Sequence, residues 1–149
     1  MKILADTNIL LRLANAADPQ HVLASNAATK LFTANEELFV VPQNIYEFWS
    51  AATRPTSVNG LGLTVSQAKA EVYRLRTFFD LLDEKADIYA EWKRLVDQYL
   101  IVGKNAHDTR LVAAMIVHGI THLLTFNKQD FQRFTNITAI TPADVMAMP

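Results

Sequence analysis

Short apolar runs separated by long helical stretches restrict this chain more than any other feature. Lys2–Ala5 (KILA) is stopped at once by Asp6-Thr7-Asn8, and Leu38–Val41 (LFVV) is stopped by Pro42. A third run covers His122–Thr125, and Ile137–Ile140 offers a fourth. Apolar runs this short, without alternation, read as strands buried on both faces. Strand, helix, strand, helices, helix, strand is the rhythm of a mostly parallel sheet covered by helices on both sides. The expected fold class is therefore α/β, a three-layer α/β/α sandwich.

The intervening segments support this. Ile9–Ala14 reads as a short helix ended by Asp18-Pro19. His21–Ala34 follows, with Val22, Ala27, Leu31 and Ala34 near helical spacing. Pro42 sits where a first helical turn tolerates proline, and Gln43–Thr53 continues as helix up to Arg54-Pro55. Thr64 is a natural N-cap. Behind it Val65, Ala68, Val72, Leu75, Phe79 and Leu82 form a stripe at spacings of three and four. Ile88, Trp92, Leu95 and Tyr99 form a second stripe. Together they predict a helical hairpin over about 64–99, inserted between the second strand and the rest. A last helix over His107–Val117 is stopped by Gly119. At 149 residues the chain is expected to form one domain, 1–149.

Composition removes several classes of chemistry. There is no cysteine, so disulfides, thiolate zinc sites and cysteine nucleophiles are excluded. A net charge of -1 provides no overall basic field for a nucleic acid. No apolar run approaches the ~20 residues of a membrane span. Lys2 and a short apolar run that meets Asp6 do not make a signal peptide, so a cytoplasmic location is expected. His21, His107, His118 and His122 form no metal-binding spacing. His118 is expected to be partly buried and His107 to lie at the surface, while Trp49 and Trp92 suit core or partner faces.

The acids are more informative. Ligands of open α/β sheets bind beyond the carboxyl ends of the strands. Asp6 ends the first strand, Glu47 lies one turn into the helix after the second, and Asn127 and Asp130 follow the third. Asp108 opens the helix that runs back to the third strand. On topology alone that helix is expected to start at the amino edge of the sheet, away from the other acids. Clustered carboxylates repel one another and some are pushed to protonate. A hard divalent cation removes the conflict, and acids without Cys and with few His favour Mg²⁺ or Mn²⁺ over zinc. Each acid also has a purely structural account. Asp6, Thr7 and Asn8 are N-cap types, Asp108 favours a helix dipole, Glu47 suits a solvated helix face, and Asp130 could cap a short helix through Phe134.

Four segments carry a resemblance: Ala5–Leu10 (ADTNIL), Pro42–Phe48 (PQNIYEF), His107–Ala114 (HDTRLVAA) and Leu124–Phe131 (LTFNKQDF). In this order and spacing the chain resembles PIN-domain proteins, and among them the VapC-type toxins of bacterial toxin–antitoxin pairs. The resemblance covers nearly the whole chain. It implies a Mg²⁺-dependent endoribonuclease that leaves 3′-hydroxyl and 5′-phosphate ends. Asp6, Glu47 and Asp108 match the three core acids as metal ligands and catalytic groups, with Asp130 assisting. Some members have Asp where this chain has Asn127. Thr7, Asn8, Thr125 and Asn127 match supporting positions that orient acids or water. An RNA substrate, a small antitoxin and a homodimer are the implied partners.

Arg12, Arg54, Lys104, Arg110 and Lys128 lie near the matched segments and are candidates for RNA phosphate contact, with ordinary solvated charge as the alternative. Two rival functions stand beside the nuclease. One is a catalytically weak PIN-like module that binds RNA or an antitoxin. The other is an aspartyl phosphotransferase, but Asp6-Thr7-Asn8 lacks a second acid two residues on, and no Gly-rich phosphate loop is present.

Overall fold

A computed structural model describes residues 1–149. Five parallel strands form its centre: β1 (Lys2–Ala5), β2 (Glu37–Val40), β3 (Asp80–Leu81), β4 (His122–Leu124) and β5 (Thr138–Ile140). Their order across the sheet is β3-β2-β1-β4-β5. Ile3 pairs with Leu38 on one side and His122 on the other, so β1 is the central strand. Seven helices surround them: α1 (Thr7–Ala14), α2 (His21–Thr33), α3 (Pro42–Thr53), α4 (Val65–Leu75), α5 (Asp87–Tyr99), α6 (Asn105–His118) and α7 (Pro142–Ala147).

Alternation along each strand splits the apolar interior in two. Ile3, Ala5, Leu38, Val40 and Leu124 face a core shared with Ile9, Leu31, Phe48 and Leu75 from α1 to α4. Leu4 and Leu123 face the opposite core, with Leu95 of α5, Leu111 and Met115 of α6, and Phe131. This is the expected α/β/α sandwich with a parallel sheet.

The two helices expected as a hairpin are present, but they do not pair with each other. Leu75 of α4 belongs to the first core, while Ile88 and Leu95 of α5 belong to the second. Between them the chain forms β3, an edge strand not foreseen from the sequence. The stripe extended through Phe79 and Leu82 because residues three apart share a helical face. In a strand, residues three apart point to opposite faces. Phe79 accordingly enters the first core and Leu82 packs against the second. The chain reverses its direction across the sheet after β3, and right-handed crossovers then require α5 to cover the other face.

Candidate active site

The reversal of direction also defines the site. The chain leaves β1 toward β2 and β3, and later returns to β4 on the other side of β1. The carboxyl ends of β1 and β4 therefore border the switch point where such sheets bind ligands. Asp6 follows β1 directly. It is the N-cap residue of α1 and only 8% exposed. Its Oδ1 accepts from the Thr7 amide at 2.8 Å, and its Oδ2 accepts from Thr125 Oγ1 at 2.8 Å and Asn8 Nδ2 at 3.2 Å. Thr125, which follows β4, is fully buried and also accepts from the Asn127 amide at 3.0 Å. Asn8 Oδ1 accepts from the Phe126 amide at 3.3 Å. The capping account and the site account of Asp6-Thr7-Asn8 thus hold together: the residues that start α1 also clamp one carboxylate.

Glu47 points from α3 into the same region. Its Oε1 accepts from Thr7 Oγ1 at 3.1 Å and from Gln43 Nε2 at 3.3 Å. Asp108 lies in the first turn of α6, and Asp130 in a single 3-10 turn, Lys128–Phe131, after β4. All four acids line one cleft of about 270 Å³, with Lys104 and Asn127 at its border. The expectation that α6 starts at the amino edge is corrected here. A helix that feeds a parallel strand runs antiparallel to it, so α6 begins at the carboxyl edge and brings Asp108 to the other acids.

The electrostatics follow from this crowding. Burial raises the Asp6 carboxyl above its ordinary range, opposed by the Thr125 and Thr7 hydrogen bonds and reinforced by Glu47 and Asp130. Asp108 is pushed up to about 6, first by burial and then by Asp6, Asp130 and Glu47, with Lys104 pulling it back. An all-carboxylate set at rising proton affinity suits a hard divalent cation in donor type. The acids are spread around the cleft, and no three of them stand close enough to form a ready ligand cage. Two other hollows are more apolar. One of about 300 Å³ is bordered by Leu13, Leu75 and Phe78, and one of about 580 Å³ by Trp49, Val72 and Tyr73. Neither gathers carboxylates.

The basic candidates separate. Lys104 stands in the cleft. The Arg12 guanidinium lies 5.5 Å from the Phe126 ring centre and 3.9 Å from Asp18. Lys128 pairs with Asp144 at 3.0 Å. Arg110 is committed to Glu84 at 2.6 Å and Gln43 at 3.0 Å. Arg54 donates to the Asn59 carbonyl in the loop after α3. Among the histidines, His107 borders the cleft and is exposed, while the half-buried His118 meets the Asp83 carbonyl. Trp92 is half-buried and donates from Nε1 to the Ala106 carbonyl at 2.9 Å, tying α5 to the start of α6.

Sequence reasoning missed Gln43 and Asn44, both buried. Asn44 Nδ2 donates to the Ala5 carbonyl at 3.0 Å, and its Oδ1 accepts from the Val41 amide at 2.8 Å. Gln43 was detectable in principle, because it lies four residues before Glu47 on one helical face.

The PIN domain family model matches residues 3–137. This chain belongs to the PIN-domain family. No curated protein matches it in sequence. Among solved structures, the PIN chain is similar to VapBC-1 from nontypeable Haemophilus influenzae, at TM-score 0.71 and 16% identity over 96% of this chain and 99% of that one. It is also similar to Mycobacterium tuberculosis VapC20, described as a sarcin-ricin loop cleaving toxin. There the TM-score is 0.66 and the identity 21%, over 92% of this chain and 99% of that one. A toxin–antitoxin complex from Klebsiella pneumoniae matches at 0.65 and 19%, over 95% and 98%. At these identities the likeness is one of fold, and it extends over more than nine tenths of each chain.

Proposed function

We propose that this PIN-domain chain, acting as one unit over 1–149, is a divalent-metal-dependent endoribonuclease and the toxin of a toxin–antitoxin pair. The observation that carries the reading is the convergence of Asp6, Glu47, Asp108 and Asp130, from four separate segments, on one cleft at the switch point of the sheet. Asp6, Glu47 and Asp108 would hold Mg²⁺ or Mn²⁺, with Asp130 assisting. When bound, such an ion supplies a nucleophile near neutral pH and offsets charge developing on the phosphoryl oxygens.

The chain supplies the orientation. Thr125, Asn8 and the Thr7 amide hold both oxygens of Asp6. The Thr7 hydroxyl holds one oxygen of Glu47. Lys104, beside the acids, is the cation best placed to meet a substrate phosphate, and such contacts supply affinity without sequence choice. Asn127, exposed at the cleft, is available to orient water or substrate. The VapBC and toxin–antitoxin neighbours support a small antitoxin as partner, and the sarcin-ricin loop toxin supports cleavage of a structured RNA. A homodimer in the cytoplasm completes the reading. No helix is long and apolar enough to cross a membrane.

The test is cleavage of end-labelled structured RNAs by purified protein in Mg²⁺, Mn²⁺ or EDTA, with Asp6→Asn and Asp108→Asn prepared identically. Cleavage should require metal and vanish in both variants while their circular dichroism stays that of the parent. No cleavage by protein free of bound inhibitor would overturn the reading in favour of a binding module.

A further inference from the structure

Beyond the acids and their neighbours on α1, one side chain touches two arms of the cleft at once. Gln43 is buried in the first turn of α3. Its Nε2 donates to Glu47 Oε1 at 3.3 Å and to the His107 carbonyl at 2.9 Å. Its Oε1 accepts from Arg110 Nη1 at 3.0 Å. Arg110 is itself held by Glu84, in the segment after β3. The orientation of the amide is dictated by these partners. Flipped, its carbonyl would face a carboxylate and a carbonyl, and its NH₂ would face a guanidinium.

We propose that Gln43 is a positioning residue for the divalent-cation site, with Arg110 as the lock on its amide. Two consequences follow from the bonds. Thr7 and Gln43 both donate to Oε1 of Glu47, so the carboxylate is pinned by one oxygen and Oε2 is left without a protein partner, for the cleft. The bond to the His107 carbonyl fixes the first turn of α6 to α3, and so sets Asp108 relative to Glu47. A Met at this position fills similar space and makes neither bond. A Glu accepts from Arg110 but places a second carboxylate against Glu47.

The inference rests on the cation-binding reading of the cleft, and its test separates the two. Mn²⁺ affinity is measured on the whole protein by electron paramagnetic resonance, without RNA, for the parent, Gln43→Met, Gln43→Glu and Arg110→Met. Thermal unfolding is recorded alongside. Loss of partners that orient metal ligands commonly costs 10–100-fold in metal affinity. The expected result is a Kd for Mn²⁺ weakened on the order of 10–100-fold in Gln43→Met and less in Arg110→Met. Gln43→Glu should still unfold cooperatively and should not recover the affinity of the parent. RNA cleavage by Gln43→Met should recover partly at high Mn²⁺. A Gln43→Met protein with reduced Tm and parental Mn²⁺ affinity would overturn the proposal, since the residue would then be structural only. A parent that binds Mn²⁺ and cuts no RNA would overturn the nuclease reading and leave the role of Gln43 decided by the Mn²⁺ affinities.

Discussion

Thr125 Oγ1 donates to Asp6 Oδ2 across 2.8 Å, joining the residue that follows β4 to the residue that follows β1. Both residues are buried, so the bond is shielded from water. A hydrogen bond to a charged group contributes about 1.5–3 kcal/mol. Thr125→Val keeps the shape and loses the donor. It also deprives the Asn127 amide of its acceptor. The expected outcome is a loss of about 1.5–3 kcal/mol in urea unfolding at pH 7.5, together with a drop in cleavage on the order of 10–100-fold. Thr125→Ser should retain most of both, which separates the hydroxyl from the methyl group.

Asp108 makes the cation-free protein sensitive to pH in a defined direction. Its carboxyl is pushed up from 3.8 to about 6 by burial and the neighbouring acids. A carboxyl raised in the folded state binds protons more tightly there than in the unfolded chain. Its stabilising contribution is complete below about pH 4, is lost as pH rises through 6, and becomes a constant cost above that. The group is half-buried, and solvent screening reduces the cost to about 1–2 kcal/mol. Asp108→Asn should therefore unfold at higher urea than the parent at pH 7.5, in EDTA, and lose most of that advantage by pH 4. Parallel curves at both pH values would show that the charge of Asp108 is relieved in some other way.

Much of this arrangement was legible in the sequence, for identifiable reasons. β1, β2 and β4 are apolar runs stopped by polar residues or proline, and a buried parallel strand has few other ways to be written. β3 was hidden because it is two exposed residues, Asp80 and Leu81, with no run at all. Its neighbours Phe79 and Leu82 mimic a helical stripe. Asp6, Glu47 and Asp130 were placed by their position after strands. Asp108 is identified only through the family resemblance, because its place before β4 does not by itself point to the carboxyl edge of the sheet. Gln43 and Asn44 escaped because a polar residue behind Val41-Pro42 reads as an ordinary helix start. Only tertiary contact reveals what each one bonds.

A cation that binds the folded cleft and not the unfolded chain must stabilise the protein by mass action. At a concentration a hundredfold above Kd the gain is about 2.7 kcal/mol. Mg²⁺ or Mn²⁺ should raise the Tm at pH 7.5, and EDTA should reverse the rise. The rise should shrink at pH 5, because Asp108 must then lose a proton before it can serve as a ligand. Asp108→Asn should show little rise at either pH. An equal rise in the parent and the variant, read by scanning fluorimetry, would place the cation elsewhere.

Asn44 is fully buried and bridges three parts of the site's scaffold. It accepts from the Val41 amide that opens α3, donates to the Ala5 carbonyl that closes β1, and reaches Thr7 Oγ1 at 3.4 Å. Asn44→Ala leaves a buried donor and a buried acceptor unpaired, at about 1–3 kcal/mol each. Asn44→Asp tests the same bonds by sign. An ionised Asp still accepts from Val41 but turns an acceptor toward the Ala5 carbonyl, in a region already crowded by Asp6 and Glu47. Its folded-state proton affinity must rise, so its stability should be best below pH 4 and fall as pH climbs. At pH 7.5 Asn44→Asp is expected to be less stable than Asn44→Ala, and at pH 4 more stable. Urea unfolding of the two variants at both pH values reads this crossing directly. If the curves keep one order throughout, the bond to Ala5 is not what makes Asn44 necessary.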